Sequence, residues 1–257
     1  MRFLSKIARR TAGALTRNLR PYDMQRLTKT LVDRARPDSE QHDFRCPLCN
    51  YQGRFAPIFG SDAIRFSSEC PECHSRERHR FLKLWMDGDP RCQSFGRFLH
   101  FAPEPVLSKE LIPKCRQYQT ADIEPGRADL VLNIEELALE SQSVDAVMAN
   151  HVLEHVNDGK ALPELLRVLR PGGFAILTTP VIYAWAESYE NAAVHGTSQQ
   201  HLHFGQGDHV RIFGADLEDR IRAAGFQLET VCADGAMAAR YATIRGDMIY
   251  VATRPPG

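Results

Sequence analysis

Two short turns carry the plainest chemistry in this 257-residue chain: Cys46-Pro-Leu-Cys49 and Cys70-Pro-Glu-Cys73, with twenty residues between them. A C-x2-C turn presents two thiolates from one tight knuckle, and two such knuckles supply the four sulfur donors of a tetrahedral zinc ion. Cys46, Cys49, Cys70 and Cys73 are therefore the expected ligands of one structural Zn2+. Four protein ligands leave no open coordination position, so the expected role is to hold a ribbon together, not to catalyse. Cys92, Cys115 and Cys232 stand alone. An odd total of seven, without a secretory apolar stretch, argues against a disulfide framework. The compartment expected from this usage is reducing and cytoplasmic.

Histidines form a second reactive population. His151 and His155 lie close together, and His201, His203 and His209 fall in a long insertion spanning 183–214. The run Gly205-Gln206-Gly207-Asp208-His209-Val210-Arg211 puts an acid, an imidazole and a guanidinium on a glycine-flanked loop. Those types can accept a proton and anchor an anionic or polyhydroxyl group. His209 is the first expected general base, with His151 and Asp208 beside it, and Arg211, His201 and His203 are expected to line an acceptor site. The ordinary alternative for each histidine is a structural hydrogen bond, and for Asp208 and Arg211 ion pairing with neighbours. His201 and His203 have no obvious third partner for a metal.

These residues need elements to position them. From Arg97 onward, short apolar runs alternate with helical patterns. Candidate strands are 98–101, 117–121, 130–132, 144–149, 174–178, 226–231 and 248–252. Helical spacing covers 107–112, Leu162-Leu165-Leu166-Leu169 and 215–224. Such alternation argues an α/β fold: a Rossmann-like, doubly wound, mostly parallel sheet with ligands at the carboxyl ends of its strands. The whole chain divides into a basic helical arm and linker (1–41), a zinc ribbon (42–75), a connecting helix (76–94) and the α/β domain (95–257). In the connecting helix, Arg76, Arg78 and Arg80 form either a solvated face or a cationic lip toward a substrate or the next domain.

The 43% apolar and 25% charged composition excludes wholesale disorder, and no run of 18 apolar residues is available to span a membrane. The net charge is zero but unevenly spread. Residues 1–36 hold ten Lys/Arg and two acids, leaving 22 bases against 30 acids in the remainder. A basic amphipathic arm on an acidic body suits contact with a membrane surface or another anionic partner, packing on its own protein, or a cleaved transit peptide. It does not suit nucleic-acid binding driven by total charge.

The run Ser143-Val-Asp-Ala-Val-Met-Ala-Asn-His-Val-Leu-Glu-His-Val156, followed by Arg167-Val-Leu-Arg-Pro-Gly-Gly-Phe174, resembles class I S-adenosylmethionine-dependent methyltransferases of the type 11 group. His209-Val210-Arg211-Ile212-Phe213 and Ala223-Ala224-Gly225-Phe226 fit the C-terminal part of that group, and the resemblance covers about residues 95–254. It implies S-adenosylmethionine as cofactor. Asp122 then matches the acid that holds the ribose hydroxyls, with Ile123 beside it and Glu124 as fallback. Asn133 and Ile134 stand where the adenine is flanked, and Asn150 and His151 where the fourth-strand loop passes the methyl end. The first motif departs from the group: His100-Phe101-Ala102-Pro103-Glu104-Pro105 replaces a glycine-rich loop. Two prolines stiffen the loop and remove amide donors, while Glu104 is a candidate for the cofactor's amino group. His100, Ala102 and Glu104 complete the implied cofactor set. The expected acceptor is a saccharide or another small polar metabolite. The alternatives are an rRNA methyltransferase using the ribbon for recognition, and a cofactor-binding scaffold without turnover.

Overall fold

Alternating apolar residues of Phe95–Phe101 (β5) explain why a sheet forms at the centre of the chain. Phe98 is buried on one face against Phe81, Leu82, Leu107 and Leu111, while Leu99 and Phe101 are buried on the other with Leu162 and Leu165. A strand buried on both faces belongs in the middle of a layered α/β structure. The computed structural model describes residues 44–59 and 64–257, so the expected basic arm lies outside the described residues.

After β5 come Pro105–Leu111 (α2, numbered after the earlier helix Glu77–Gly88, α1), Cys115–Asp122 (β6), Leu130–Val131 (β7), Val144–Asn150 (β8) and Asp158–Val168 (α3). Leu169–Thr178 (β9), Tyr189–Glu190 (β10), Thr197–Phe204 (α4), Arg211–Ile212 (β11), Leu217–Ala223 (α5), Gln227–Cys232 (β12), Gly235–Tyr241 (α6) and Met248–Thr253 (β13) follow. One seven-stranded sheet has the order β12-β13-β9-β8-β5-β6-β7. Its strands are parallel except β13, which is antiparallel to both β9 and β12. The chain runs outward from β5 through β6 to β7, then returns to β8 on the other side. The crevice beyond β5 and β8 is thus a topological switch point. The Rossmann-like expectation holds.

Ala161, Leu162, Leu165 and Val168 give α3 a buried stripe against the sheet. The Pro171-Gly172-Gly173 turn does not close that helix before a strand starting at Phe174. Instead β9 begins at Leu169 and carries the turn within it, opposite a register shift in β8. Gly173 fits because a Cβ there would lie 2.7 Å from the Asp145 carbonyl oxygen. The sequence reading also missed α4 and α6, which are short and lack a strong apolar stripe.

Ahead of the sheet, Phe44–Arg45 (β1) pairs with Gln52–Gly53 (β2), and Ala56–Phe59 (β3) with Ile64–Glu69 (β4), both antiparallel. Each cysteine pair sits on a turn of the same construction. Asn50 N–H donates to the Cys46 carbonyl and His74 N–H to the Cys70 carbonyl, at 2.9 and 3.0 Å, and both residues take left-handed φ of 61° and 58°. No helix among the described residues is long and apolar enough to cross a membrane.

Candidate functional site

The carboxyl ends of β5, β6, β8 and β9 meet on one edge of the sheet, and two non-glycine residues there adopt left-handed backbone. Ala102, just after β5, has φ 44°, and His151, just after β8, has φ 52°. Such conformations cost about 1 kcal/mol or more each and cluster where function fixes a turn. Ala102 N–H donates to the Ala121 carbonyl and His151 N–H to the Thr178 carbonyl, so both turns are tied to neighbouring strands.

Glu104 is the hub of this edge. Its Oε1 accepts from Arg78 Nε at 2.8 Å, Arg78 Nη2 at 2.6 Å and His79 Nε2 at 2.7 Å, and its Oε2 accepts from Asn150 Nδ2 at 3.1 Å. The backbone N–H of Arg76 donates to His79 Nδ1, which places the His79 proton on Nε2, where it donates to Glu104. Burial alone would raise the Glu104 pKa, but the His79 hydrogen bond and the Arg78 charge outweigh it and hold the carboxyl well below the usual range. Thr178 Oγ1 donates to Asn150 Oδ1 at 3.1 Å, so the buried Asn150 amide clamps β9 to Glu104. The connecting helix α1 thus delivers Arg78 and His79 to Glu104 at the strand ends, so Arg78 is neither simply solvated nor part of a lip shared with Arg80. Arg80, by contrast, is fully buried.

His100 lies inside the sheet, not on the rim. Ser108 Oγ donates to the Glu104 carbonyl, Tyr118 Oη donates to Ser108 Oγ, and His100 Nδ1 therefore donates to Tyr118 Oη at 2.8 Å. Its Nε2 is left as a buried acceptor without a hydrogen-bond donor. Burial pushes the His100 pKa down to about 4, so the ring is neutral.

At the end of β6, Asp122 Oδ1 caps its own turn by accepting from Glu124 N–H at 2.9 Å. Its second oxygen makes no protein hydrogen bond among the described residues. Ile123 beside it is 64% exposed, an unusual position for an isoleucine. Asn133 is exposed and caps the Glu135 N–H, whereas Ile134 turns inward and packs in the core. Ile134 therefore presents no side-chain surface at the rim.

A cavity of about 200 Å³ opens beside this edge, its wall mixing charged and polar groups (Arg65, Arg78, His151, Asp247) with apolar ones (Phe81, Ile244). Asp247 was not singled out in the sequence; it precedes β13 in a loop with no motif. Burial raises its pKa to about 6, against the lowering effect of His151. Glu154 was likewise missed. It is buried, and its Oε2 accepts from Thr179 Oγ1 at 2.7 Å.

Of the residues foreseen for the acceptor loop, Asp208 and His209 stay together beside His155, while Arg211, His201 and His203 lie elsewhere. Asp208 is exposed beside His155, at 3.4 Å from its Nδ1. His209 packs edge-on against His155, with ring centroids 4.7 Å apart, and its Nδ1 lies 3.3 Å from the Phe204 carbonyl. Burial lowers the His209 pKa. Arg211 is not on a flexible loop. It is buried in β11, hydrogen-bonded to the buried Asp158 and 3.5 Å from Glu190. His203 Nδ1 pairs with Tyr189 Oη at 2.7 Å, and His201 is exposed on α4.

The four cysteines of the knuckles converge. Cys46 and Cys73 sulfurs are 3.5 Å apart, and those of Cys49 and Cys70 are 3.6 Å apart, with all four within 4.8 Å of one another. A tetrahedral ion at a metal–sulfur distance of about 2.3 Å places sulfurs about 3.8 Å apart, so this cluster fits zinc.

Residues 106–177 match the family described as a methyltransferase domain. The seven-stranded sheet has the Rossmann-like fold of class I methyltransferases. Among solved structures, this chain is similar to the Haloferax volcanii complex of the Trm112 methyltransferase activator with the protein described as its methyltransferase partner. That likeness has a TM-score of 0.51 and 17% identity over 70% of this chain and 90% of that one. It is also similar to the [4+2]-cyclase SpnF, with a TM-score of 0.52 and 15% identity over 91% of this chain and 97% of that one. These identities establish the fold alone. No protein of curated function matches the sequence. The methyltransferase-domain match lies within the α/β part, from the start of α2 to the end of β9, and so includes Asp122, Asn150 and His151.

The cofactor of such domains is S-adenosylmethionine, and the rim fits it. Among the described residues Asp122 keeps one carboxylate oxygen unpaired, Ile123 offers an exposed apolar face, and Arg78 and Glu104 bring both signs of charge to this edge.

Proposed function

We propose that the protein transfers a methyl group from S-adenosylmethionine to a hydroxyl of a small polar acceptor, a saccharide or similar metabolite, and that the four-cysteine cluster holds structural zinc. The observation that carries this reading is the cavity of about 200 Å³ at the carboxyl edge, with groups of both signs in its wall. Its charged and hydrogen-bonding groups suit a small acceptor with polar substituents, and its size suits a single small group.

In this reading, Asp122 accepts hydrogen bonds from the ribose hydroxyls and Ile123 covers one face of the adenine. Arg78 and Glu104 meet the zwitterionic amino-acid end, and Ala102 lets the backbone turn tightly beside it. The bound cofactor supplies an electrophilic methyl group. The chain's own task is alignment of the acceptor oxygen with that methyl, in a site closed to water. A hydroxyl acceptor must lose its proton, and Asp247, with a pKa of about 6 and a place in the cavity wall, is suited to take it near neutral pH. His151, on its strained turn in the same wall, is the second candidate. His209 and Asp208, expected from sequence to act as base, lie beside His155 instead, and Arg211 is engaged by Asp158.

The test is calorimetry with S-adenosylhomocysteine, followed by radiolabelled methyl transfer to saccharide, small-metabolite and RNA fractions. Asp122→Ala should weaken binding by about 1–3 kcal/mol, the scale of a lost charged hydrogen bond. No binding by the unaltered protein, or label entering RNA only and falling steeply with salt, would refute the reading.

A further inference from the structure

Glu154, His155 and His209 take no part in the chemistry proposed above, yet one Glu154 oxygen and one nitrogen of each imidazole lie within 4.8 Å of one another. Two come from the short helical turn Leu153–His155 after β8, the third from the segment leading into β11. Val210 N–H donates to the Glu154 carbonyl at 2.9 Å, which ties these two segments directly together.

The donor chemistry is already arranged. Glu154 is 2% exposed, and Thr179 satisfies only its Oε2. Oε1 is buried without an aligned donor, although His151 Nδ1 stands 3.2 Å away. His155 Nδ1 is 3.3 Å from the Asp208 carbonyl oxygen, and His209 Nδ1 is 3.3 Å from the Phe204 carbonyl oxygen. A ring that donates from Nδ1 to a carbonyl keeps its lone pair on Nε2, the orientation in which metal-binding histidines are held by their outer partners. A buried carboxylate oxygen without a donor is costly, and a cation removes that cost.

We propose that Glu154, His155 and His209 bind a divalent transition-metal ion, at a site separate from the four-cysteine cluster. Ligands about 2.0–2.2 Å from an ion sit roughly 3–3.5 Å apart, so binding requires the three groups to close by an ångström or so. Two imidazoles with one carboxylate select zinc, cobalt, nickel or ferrous iron over calcium and magnesium, which take oxygen donors. Three protein ligands also leave coordination positions open, unlike the closed thiolate cluster. Thr179 and His151 line the acceptor cavity and adjoin Glu154; none of the three ligands lines it, so the ion would bear on an acceptor through these two wall residues. That last step rests on the methyl-transfer reading; the ion itself does not.

The experiment titrates cobalt(II) into full-length protein whose cysteine cluster has been loaded with zinc. The expected result is one further equivalent, seen as visible d–d absorption without the near-ultraviolet thiolate charge-transfer band. Glu154→Gln and His209→Ala should each weaken cobalt binding by about tenfold or more, while His201→Ala on the exposed face of α4 leaves it unchanged. Thermal melts verify folding, and His155→Gln is read in place of any variant that unfolds. No second equivalent in the unaltered protein, or undiminished binding in the folded Glu154 and histidine variants, overturns the proposal. Cobalt binding with no S-adenosylhomocysteine binding supports the ion and overturns only the methyl-transfer reading.

Discussion

Replacing Arg80 by Met should unlock the cysteine module from the α/β domain. The Arg80 guanidinium is fully buried and donates to four backbone carbonyls: Tyr241 at 2.7 Å, Ser75 at 2.7 Å, Ser68 at 3.0 Å and Ala242 at 2.7 Å. It also lies 4.5 Å from the centre of the Phe55 ring. Ser75 follows the second knuckle, Ser68 is in β4, and Tyr241 and Ala242 end α6, so one side chain joins three segments. Met keeps the aliphatic stem and its packing but removes every donor. A hydrogen bond from a charged donor contributes about 1.5–3 kcal/mol, and four such bonds do not add in full. Burial lowers the Arg80 pKa, a sign that desolvating the cation offsets part of the gain. The expected net loss is about 3–5 kcal/mol, the usual consequence of breaking a buried charged network. For a chain of this length that lowers the melting temperature by about 10 °C. Urea unfolding of Arg80→Met beside Arg127→Met, a surface control expected to stay within about 0.5 kcal/mol, measures it. A loss under about 1 kcal/mol for Arg80→Met would mean that the four carbonyls find other donors and that the guanidinium is no strut.

Glu104→Gln should weaken S-adenosylhomocysteine binding about tenfold or more in calorimetry, because it removes the charge that orders Arg78, His79 and Asn150. The depressed Glu104 pKa also adds stability that is present above the ordinary carboxylate pKa and lost as the pH falls through the folded-state value; acid melts of Glu104→Gln should lack that loss. Asp247 behaves oppositely. Its folded-state pKa of about 6 exceeds the unfolded value, so the stability it contributes is full below the unfolded pKa and is lost as the pH rises through about 6. Asp247→Asn should then raise stability by about 1–3 kcal/mol at pH 8 but not at pH 4, and abolish a rise in turnover through pH 6. Chelation of the cysteine-bound metal, followed by circular dichroism, should melt the knuckles and reduce cofactor affinity, since α1 loses its anchor; unchanged affinity in metal-free protein would refute that link.

Much of this was legible in the sequence because the signals were periodic or rigidly spaced. The two C-x2-C turns read correctly since a knuckle fixes its own geometry within five residues, independent of anything distant. Central strands were legible because burial on both faces demands continuous apolar runs, as in Val144–Asn150, whereas the start of β9 at Leu169 was not. The site was less legible. Glu104 could be named, but not its partners, because Arg78 and His79 reach it from a helix some 25 residues earlier in the chain. Arg80 and Arg78 look alike in sequence, yet one is a buried strut and the other a rim cation; only the helix phase against Phe55 separates them. Arg211 misled for a similar reason. A glycine-flanked charged segment reads as a loop, and nothing local reveals that Asp158, 53 residues earlier, draws the guanidinium into the interior. Asp247 carried no motif at all, its distinction being burial in a wall built by other segments.

The cysteine module is therefore better understood as part of the carboxyl edge of the sheet than as an attached domain. In a free-standing class I sheet, the loop after the first strand approaches its ligand through glycine amides. Here that loop holds Pro103 and Pro105, which supply no amide donors and limit its motion. The lost donors are offset from outside the sheet: α1, anchored at its start by the knuckle residues and by Arg80, sends Arg78 and His79 across to Glu104, and Asn150 completes the hub from β8. Side chains that are themselves fixed by backbone contacts preorganise the edge at small entropic cost. The same arrangement explains why the cavity opens where it does, since Arg65 and Arg78 from the ribbon side face His151 and Asp247 from the sheet side. Neither half encloses that space alone.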